Sequence, residues 1–394
     1  MPRIVVVGAG SAGFAIAQTM VSDLKASDNT EVVIFEKSKY YYHAVGTPRA
    51  VVDTNFTKKL FIPYDNVISD SAKSFIRFQR AVVTRIAPGG DKIEFSSIGD
   101  DDQVVPGPVQ SMSYDYLVIA TGGTYTVPFK QPEDDYKRST TEAKLAEVRD
   151  HVQRANSVLI VGGGPVGIEV AGEIKAKYPN KTVTIVEGKD KLAAGEHVRE
   201  KFRKKLTKEL KRLDVKVVLG ERLETRLTGN SYQKQSLRTN KGRVLESDVQ
   251  LLCGGFSPTT ELVKKLDERL VTPQGFIKVN NKLQLDSAQY SNIYVVGDAN
   301  NSGSSKHALF AGQEGTHLAK ELVLVVRKSQ ANVAKPFPVA DAVPTMMPLG
   351  PNGGVSQLPI FGGVVVGNFV TRTFKSKNYF ADMAWKMLGS VPPN

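Results

Sequence analysis

Two stretches of the chain share one pattern of apolar and polar positions. The first is apolar at Ile4-Val5-Val6-Val7, breaks at Gly8-Ala9-Gly10-Ser11-Ala12-Gly13 and takes helical spacing to about Leu24. It then runs from Glu31 through Val32-Val33-Ile34-Phe35 and closes on Glu36. The second repeats the layout with Val158-Leu159-Ile160-Val161, then Gly162-Gly163-Gly164-Pro165-Val166-Gly167, a helical stretch to about Tyr178, and Thr182-Val183-Thr184-Ile185-Val186 closing on Glu187. Short apolar runs bounded by glycine predict strands, and the mixed stretch between them predicts a helix. The chain therefore states a βαβ unit twice.

Two more apolar runs, Tyr114 to Gly123 and Asn292 to Ala299, predict strands that end on glycine or small polar residues, where a ligand can approach. Val249 to Leu252, followed by Gly254-Gly255, reads as the return crossing between two domains. A helix is expected over roughly Lys306 to Val326. Arg199 to Lys216 holds nine basic residues, with Phe202, Leu206, Leu210 and Leu213 on one stripe. That spacing predicts an amphipathic surface helix ahead of a strand at Val215 to Leu219. Beyond Val333 prolines and glycines crowd together, and Pro359-Ile360-Phe361 and Gly363-Val364-Val365-Val366-Gly367 predict short strands. The order implies an α/β fold with two Rossmann-like dinucleotide-binding domains, the second inserted in the first, plus a small C-terminal domain. Residues 1–128 and 256–334 would form the first, 129–255 the second and 335–394 the third.

A lone GxGxxG is weak evidence, but both copies here follow a strand, open a helix and have an acid about 20 residues on. Gly8 and Gly162 permit the tight turn. Gly10 and Gly164 let the backbone approach a diphosphate, and Gly13 and Gly167 let helix pack on strand. The helix N-terminus offers free N–H groups to the anion. Glu36 and Glu187 are placed to accept the ribose hydroxyls of an adenosine. Two such sites mean two nucleotides, or a bound cofactor and its reductant. Thr121-Gly122 and Gly297-Asp298 favour the second: Asp298, at a strand end before a helix, suits the ribityl hydroxyls of FAD. The following helix would aim its positive end at the flavin pyrimidine ring, where a reduced flavin carries negative charge. FAD is expected at the first site and NAD(P)H at the second. Glu169, on the first turn of the second helix, fits either an ordinary helix-terminus acid or one that faces the nicotinamide. NADH is expected over NADPH, because Glu187 would meet the 2′-phosphate; Lys189 and Lys191 stand close enough to screen that repulsion.

Composition adds limits. No apolar run reaches the roughly 18 residues of a membrane span. The first strand begins almost at Met1, so no signal or transit peptide is expected. Pro2 stands where N-myristoylation needs glycine. Cys253 is the single cysteine, which fits a reducing compartment and excludes a paired-thiol disulfide reductase reaction. A cytoplasmic protein is expected. The formal charge of +12 and pI near 9.4 suit an anionic partner or, equally, a solvated basic surface. No zinc-type spacing occurs, and no metal is expected.

The two glycine turns, Ala120-Thr121-Gly122 and Gly297-Asp298 resemble pyridine-nucleotide-dependent FAD oxidoreductases. The likeness narrows at Tyr42-His43, Pro48-Arg49-Ala50, Phe61-Ile62-Pro63-Tyr64, Gly162 to Glu169, Leu349-Gly350-Pro351-Asn352-Gly353-Gly354-Val355-Ser356-Gln357, Lys375-Ser376-Lys377-Asn378-Tyr379-Phe380 and Trp385-Lys386. Together these resemble the apoptosis-inducing-factor-like proteins of the ferroptosis suppressor type, relatives of type II NADH dehydrogenases. The front motifs are generic; the tail motifs are specific to this branch. The resemblance implies an NAD(P)H:quinone oxidoreductase that holds FAD, needs no redox cysteine and reduces ubiquinone-like lipid quinones at a membrane surface. It implies FAD contacts from the first glycine turn, Arg49, the backbone near Val83, and Asp298. It implies catalytic parts for Glu169, Lys306 and Lys375. Two departures stand out: the chain lacks the myristoylation site of the animal proteins, and Glu187 is an acid where they have none.

The tail from Phe369 to Leu388 mixes aromatic rings and methionines with Arg372, Lys375, Lys377 and Lys386, a composition that suits peripheral contact with an anionic membrane or lipid droplet. Domain packing or a homodimer contact is the alternative. Two rival functions have weaker support. A flavin monooxygenase fingerprint is approached at Phe310, Gly312 and His317, off by one in spacing and wrongly located. A redox-sensing nucleic-acid binder needs only the positive charge, and no recognition motif accompanies it.

Overall fold

A computed structural model describes residues 1–195, 197–340, 343–360 and 363–393. Its largest sheet has seven strands in the order Ile293–Val295, Tyr116–Ile119, Arg3–Val7, Glu31–Glu36, Ile76–Ile86, Lys92–Ser97, Gln110–Ser113. The first five pair parallel, and the last two are added by antiparallel pairings. Val5 and Val6 on the central strand are both fully buried, on opposite faces. That explains the unbroken apolar run: a parallel strand covered on both faces has no polar side to show. Helices Ser11–Asp23 and Ala308–Lys328 pack together on one face. Each fully buried Val or Ile contributes about 1.5–3 kcal/mol of hydrophobic stabilisation.

A second, four-stranded parallel sheet is ordered Val215–Leu219, Thr182–Glu187, Ser157–Val161, Val249–Leu252. Helix Pro165–Lys177 packs on it. Helix Glu200–Arg212 buries Phe202, Leu206 and Leu210 and turns its lysines outward, as its spacing predicts. The chain leaves the first sheet through Gly123–Thr124 and returns through Ser257–Pro258, and these two crossings pair antiparallel. Thr121 Oγ1 donates to Thr259 O at 2.7 Å and ties them further.

The tail forms an antiparallel sheet of Thr345–Pro348, Gly354–Leu358 and Val364–Val366. The strand expected at residues 359–361 does not form at Pro359-Ile360: the preceding strand ends at Leu358, because Pro359 has no N–H to give a ladder. Ile360 is exposed in a bend, and Phe361 lies outside the described residues. Helix Asn368–Thr371 runs into a π-helix, Arg372–Ser376, and helix Ala381–Met387 follows. Trp385 Nε1 donates to Lys59 O at 2.9 Å and Gln18 Nε2 to Met387 O at 2.8 Å, so the tail closes back on the first domain.

Candidate active site

Gly8 has φ +99, and a Cβ there would lie 2.6 Å from Ala120 O; Gly162 has φ +121, with a Cβ 3.0 Å from the Cys253 carbonyl. Any side chain at either would strain the turn. Gly13 and Gly167 are equally constrained, since a Cβ would stand 1.9 Å and 2.1 Å from the carbonyls of Gly8 and Gly162. Gly10 and Gly164 differ: nothing lies within 4 Å of their Cβ positions. Each is the N-cap of its helix, and neither helix has a side-chain cap. Two sets of free N–H groups therefore meet open space, which fits two diphosphates.

The acids repeat one geometry. Glu36 Oε2 accepts from Ala9 N at 2.7 Å and Oε1 from Ser38 N at 2.9 Å. Glu187 Oε2 accepts from Gly163 N at 2.7 Å and Oε1 from Lys189 N at 2.8 Å. Each carboxylate is held against its own glycine turn and keeps lone pairs for a ribose. Tyr64 donates to Ala9 O at 2.8 Å, and the Tyr41 hydroxyl lies 3.1 Å from Ser11 Oγ, pinning the first turn from above.

Both turns open into one cavity of about 2050 Å³. Single-ligand pockets span about 300–1,000 Å³, so this space suits two dinucleotides. Its walls include Gly8, Gly10, Ser11, Ala12, Glu36, Val83, Thr121, Gly122, Gly162, Gly164, Glu169, Glu187, Asp298, Lys306 and Lys375. The pairing of Ile76–Ile86 with its neighbour shifts register between Val83 and Arg85, a bulge that falls at the cavity wall. Among the described residues, Ala9, Gly13, Gly167 and Arg49 are not on that wall. The first three act through the turns.

Asp298 follows Gly297 at the end of the strand. Burial pushes its carboxyl up, and Lys130 and Lys306 pull it back. Lys306 Nζ donates to Asn300 O at 2.7 Å and Oδ1 at 3.1 Å. Glu314, on helix Ala308–Lys328, accepts from Gly297 N at 2.7 Å, Asn300 Nδ2 at 2.8 Å and Ser302 Oγ at 2.6 Å. This buried acid shapes the loop that carries Asp298. Cys253 also lines the cavity; burial pushes its thiol up, away from the reactive thiolate.

The tail meets the second dinucleotide helix at two acids one turn apart. Lys375 Nζ donates to Glu169 Oε1 at 2.7 Å and to Met346 O at 3.0 Å. Burial pushes the Glu169 carboxyl up, Lys375 pulls it down, and Glu173 pushes it up again. Arg49 holds Glu173 with two bonds, Nε to Oε2 at 2.5 Å and Nη2 to Oε1 at 3.0 Å. Nη2 also donates to Ser376 O at 2.7 Å. The resemblance assigns Arg49 to FAD; in the structure its guanidinium also pairs with Glu173, a buried acid that needs a partner. The Tyr379 hydroxyl donates to Glu173 Oε1 at 2.9 Å. His43 Nε2 meets Tyr379 O at 2.7 Å, and burial holds the ring neutral with a pKa of about 4. Glu173 and Glu314 were not singled out from the sequence, and His43 and Tyr379 stood there only among the residues that carry the resemblance, with no role given. The one local signal was Glu173, four residues beyond Glu169 on the same helix face.

These features are those of a protein built around two dinucleotides, and the comparisons agree. The chain belongs to the pyridine nucleotide-disulphide oxidoreductase family, whose profile matches residues 2–315. It is an NAD(P)H oxidoreductase with a fold that binds FAD and NAD(P)H. It is 29% identical over 402 residues to ferroptosis suppressor protein 1 of Homo sapiens, covering 99% of this chain and 97% of that protein. It is 28% identical over 409 residues to apoptosis-inducing factor homolog B of Dictyostelium discoideum, covering 99% and 98%. Among solved structures it superposes on the sulfide:quinone oxidoreductase of Aquifex aeolicus with a TM-score of 0.74 at 14% identity, over 100% of this chain and 93% of that one. The Plasmodium falciparum NDH2 in complex with NADH gives 0.69 at 14%, over 96% of both chains. Among the described residues no helix is long and apolar enough to cross a membrane.

Proposed function

We propose that the chain passes two electrons from NAD(P)H through FAD to a lipid quinone, with NADH the preferred donor. The observation that carries this reading is the Lys375–Glu169 pair, set where both glycine turns share one cavity. FAD, when bound, supplies the electron chemistry. The protein binds, orients and delivers protons. Free N–H groups after Gly10 and Gly164 take the diphosphates, Glu36 and Glu187 take the adenosine riboses, and Asp298 takes the ribityl hydroxyls. The N-terminus of Ala308–Lys328 favours negative charge at the cavity. An ammonium has three donors. Lys375 uses two, on Glu169 and Met346, and keeps the third for a ligand oxygen. A quinone becomes a quinol by taking two electrons and two protons, so a lysine N–H beside the cavity suits that acceptor.

The lining of the cavity supports a lipid substrate. Met383 and Met387 line it and are 55% and 47% exposed, and the tail also exposes Phe369 at 82% and Phe374 at 59%. Lys377 and Lys386 flank them. Exposed apolar side chains with basic ones beside them in the sequence suit contact with an anionic bilayer. The likeness to ferroptosis suppressor protein 1 favours the same reading. The test is NADH oxidation by purified, FAD-loaded protein with and without a ubiquinone bearing one isoprene unit. Turnover should depend on the quinone and should fall in Lys375→Met. Oxidation of NADH that is indifferent to quinone would refute the reading.

A further inference from the structure

Tyr379 is fully buried and lies at φ 51, and Phe380 follows at φ 61. Two successive aromatic residues in the left-handed region are unusual, because Cβ crowds the following carbonyl. Such a turn persists only where its surroundings hold it. Here the hydroxyl is bonded to Glu173 at 2.9 Å, the carbonyl to His43 at 2.7 Å, and the Tyr379 N–H to Lys375 O at 2.6 Å. The ring also lies close to two cations: the Arg49 guanidinium is 5.2 Å from its centroid and the Lys375 ammonium 5.7 Å. Those cations answer Glu173 and Glu169, one helical turn apart. Lys375 itself belongs to the π-helix Arg372–Ser376, which ends just before this turn. A π-turn is a local insertion in helical register, and relaxing it by one residue swings a side chain by about 100°.

We propose that Tyr379 is the positioning residue of the Glu169–Lys375 pair. Its left-handed turn, anchored on Glu173 and His43, fixes the register of the π-helix so that the Lys375 ammonium faces Glu169 and the cavity. Its ring, 5.7 Å from that ammonium, adds a cation–π contact. The inference rests on the proposed role of Lys375 and adds a residue that touches neither nucleotide nor quinone.

The experiment compares Tyr379→Phe, which keeps the ring, with Tyr379→Leu, which removes it, each in the wild-type and Lys375→Met backgrounds. FAD content, Tm and NAD+ affinity are measured on the loaded proteins, together with the rate and pH profile of flavin reoxidation by the short-chain ubiquinone. Both variants should retain FAD and bind NAD+ within about twofold, since neither change touches the nucleotide turns. Reoxidation should slow on the order of threefold in Tyr379→Phe and tenfold in Tyr379→Leu, as a lost hydrogen bond and a lost cation–π contact predict. The pH profile should shift with it. In the Lys375→Met background the same changes should add less than about twofold, because the residue acts through Lys375. Full additivity there, with Lys375→Met itself slow, overturns the positioning role alone. A Lys375→Met protein as fast as wild type overturns the role of Lys375 and the inference with it. If Tyr379→Leu does not load FAD, Tyr379→Phe carries the test, and a wild-type rate and pH profile in it overturn the proposal.

Discussion

Lys375 Nζ and Glu169 Oε1 lie 2.7 Å apart although 206 residues separate them in the chain. The side chains are 13% and 5% exposed, so the pair is nearly dry. A dry pair is costly to break from one side, because the remaining charge has no solvent to turn to.

Glu169→Gln should therefore keep FAD but slow electron transfer. The effect expected for removing a group that holds a proton donor is roughly 10²-fold. Single-turnover reduction by NADH and reoxidation by quinone, measured separately, show which half is affected. Two unchanged rates would reduce Glu169 to a helix-terminus acid.

Arg49→Ala separates two roles. Removing the guanidinium leaves Glu173 buried without its cation, which costs about 3–5 kcal/mol. Tm should fall, and excess FAD should not restore it. A protein that keeps its Tm but loses flavin would place Arg49 on the cofactor instead.

His43 gives a pH dependence. Its folded pKa of about 4 lies below the ordinary 6.5. Between those values the unfolded chain binds a proton that the folded chain does not, so stability falls as pH drops from 6.5 toward 4 and the loss then levels off. The full loss is about 3 kcal/mol. Glu169 and Glu173, both pushed up by burial, act with the opposite sign and lose stability as pH rises above 4.5. The difference between wild type and His43→Gln isolates the histidine. Identical Tm-versus-pH curves would show that it titrates normally.

Strands were legible where both faces are apolar. Val215–Leu219 and Val249–Leu252, short apolar runs each broken by one polar residue, Lys216 and Gln250, were also readable to the residue. Gly354–Leu358 was not, because its buried polar side chains are satisfied from elsewhere: Ser356 Oγ lies 2.8 Å from Thr371 Oγ1, and Gln357 Nε2 donates to His197 O at 2.8 Å. Periodicity cannot see a polar residue whose partner is distant in sequence. The site divides the same way. The glycine turns and their acids are local motifs, legible from spacing. The Arg49–Glu173–Tyr379 cluster is assembled from three distant segments, and its left-handed turn contains no glycine to announce it.

Glu187 should decide between the two nicotinamide nucleotides. Its carboxylate is fixed against Gly163 and would face the 2′-phosphate of NADPH. Like charges near a surface cost about 1–2 kcal/mol, or roughly five- to thirtyfold in kcat/KM favouring NADH. Glu187→Ser should improve NADPH use and worsen NADH use. A ratio left unmoved by the substitution would mean that Lys189, which also lines the cavity, governs the choice.

On the proposed function, one cavity takes electrons from NADH onto FAD and returns them to a quinone without a thiol. Anaerobic rapid mixing of the FAD-loaded protein tests it directly. NADH should bleach the flavin, the short-chain ubiquinone should restore its colour in full, and steady-state double-reciprocal plots should be parallel, with NAD+ leaving before quinone enters. A flavin that NADH leaves oxidised, or one that stays bleached in the presence of quinone, would contradict the account.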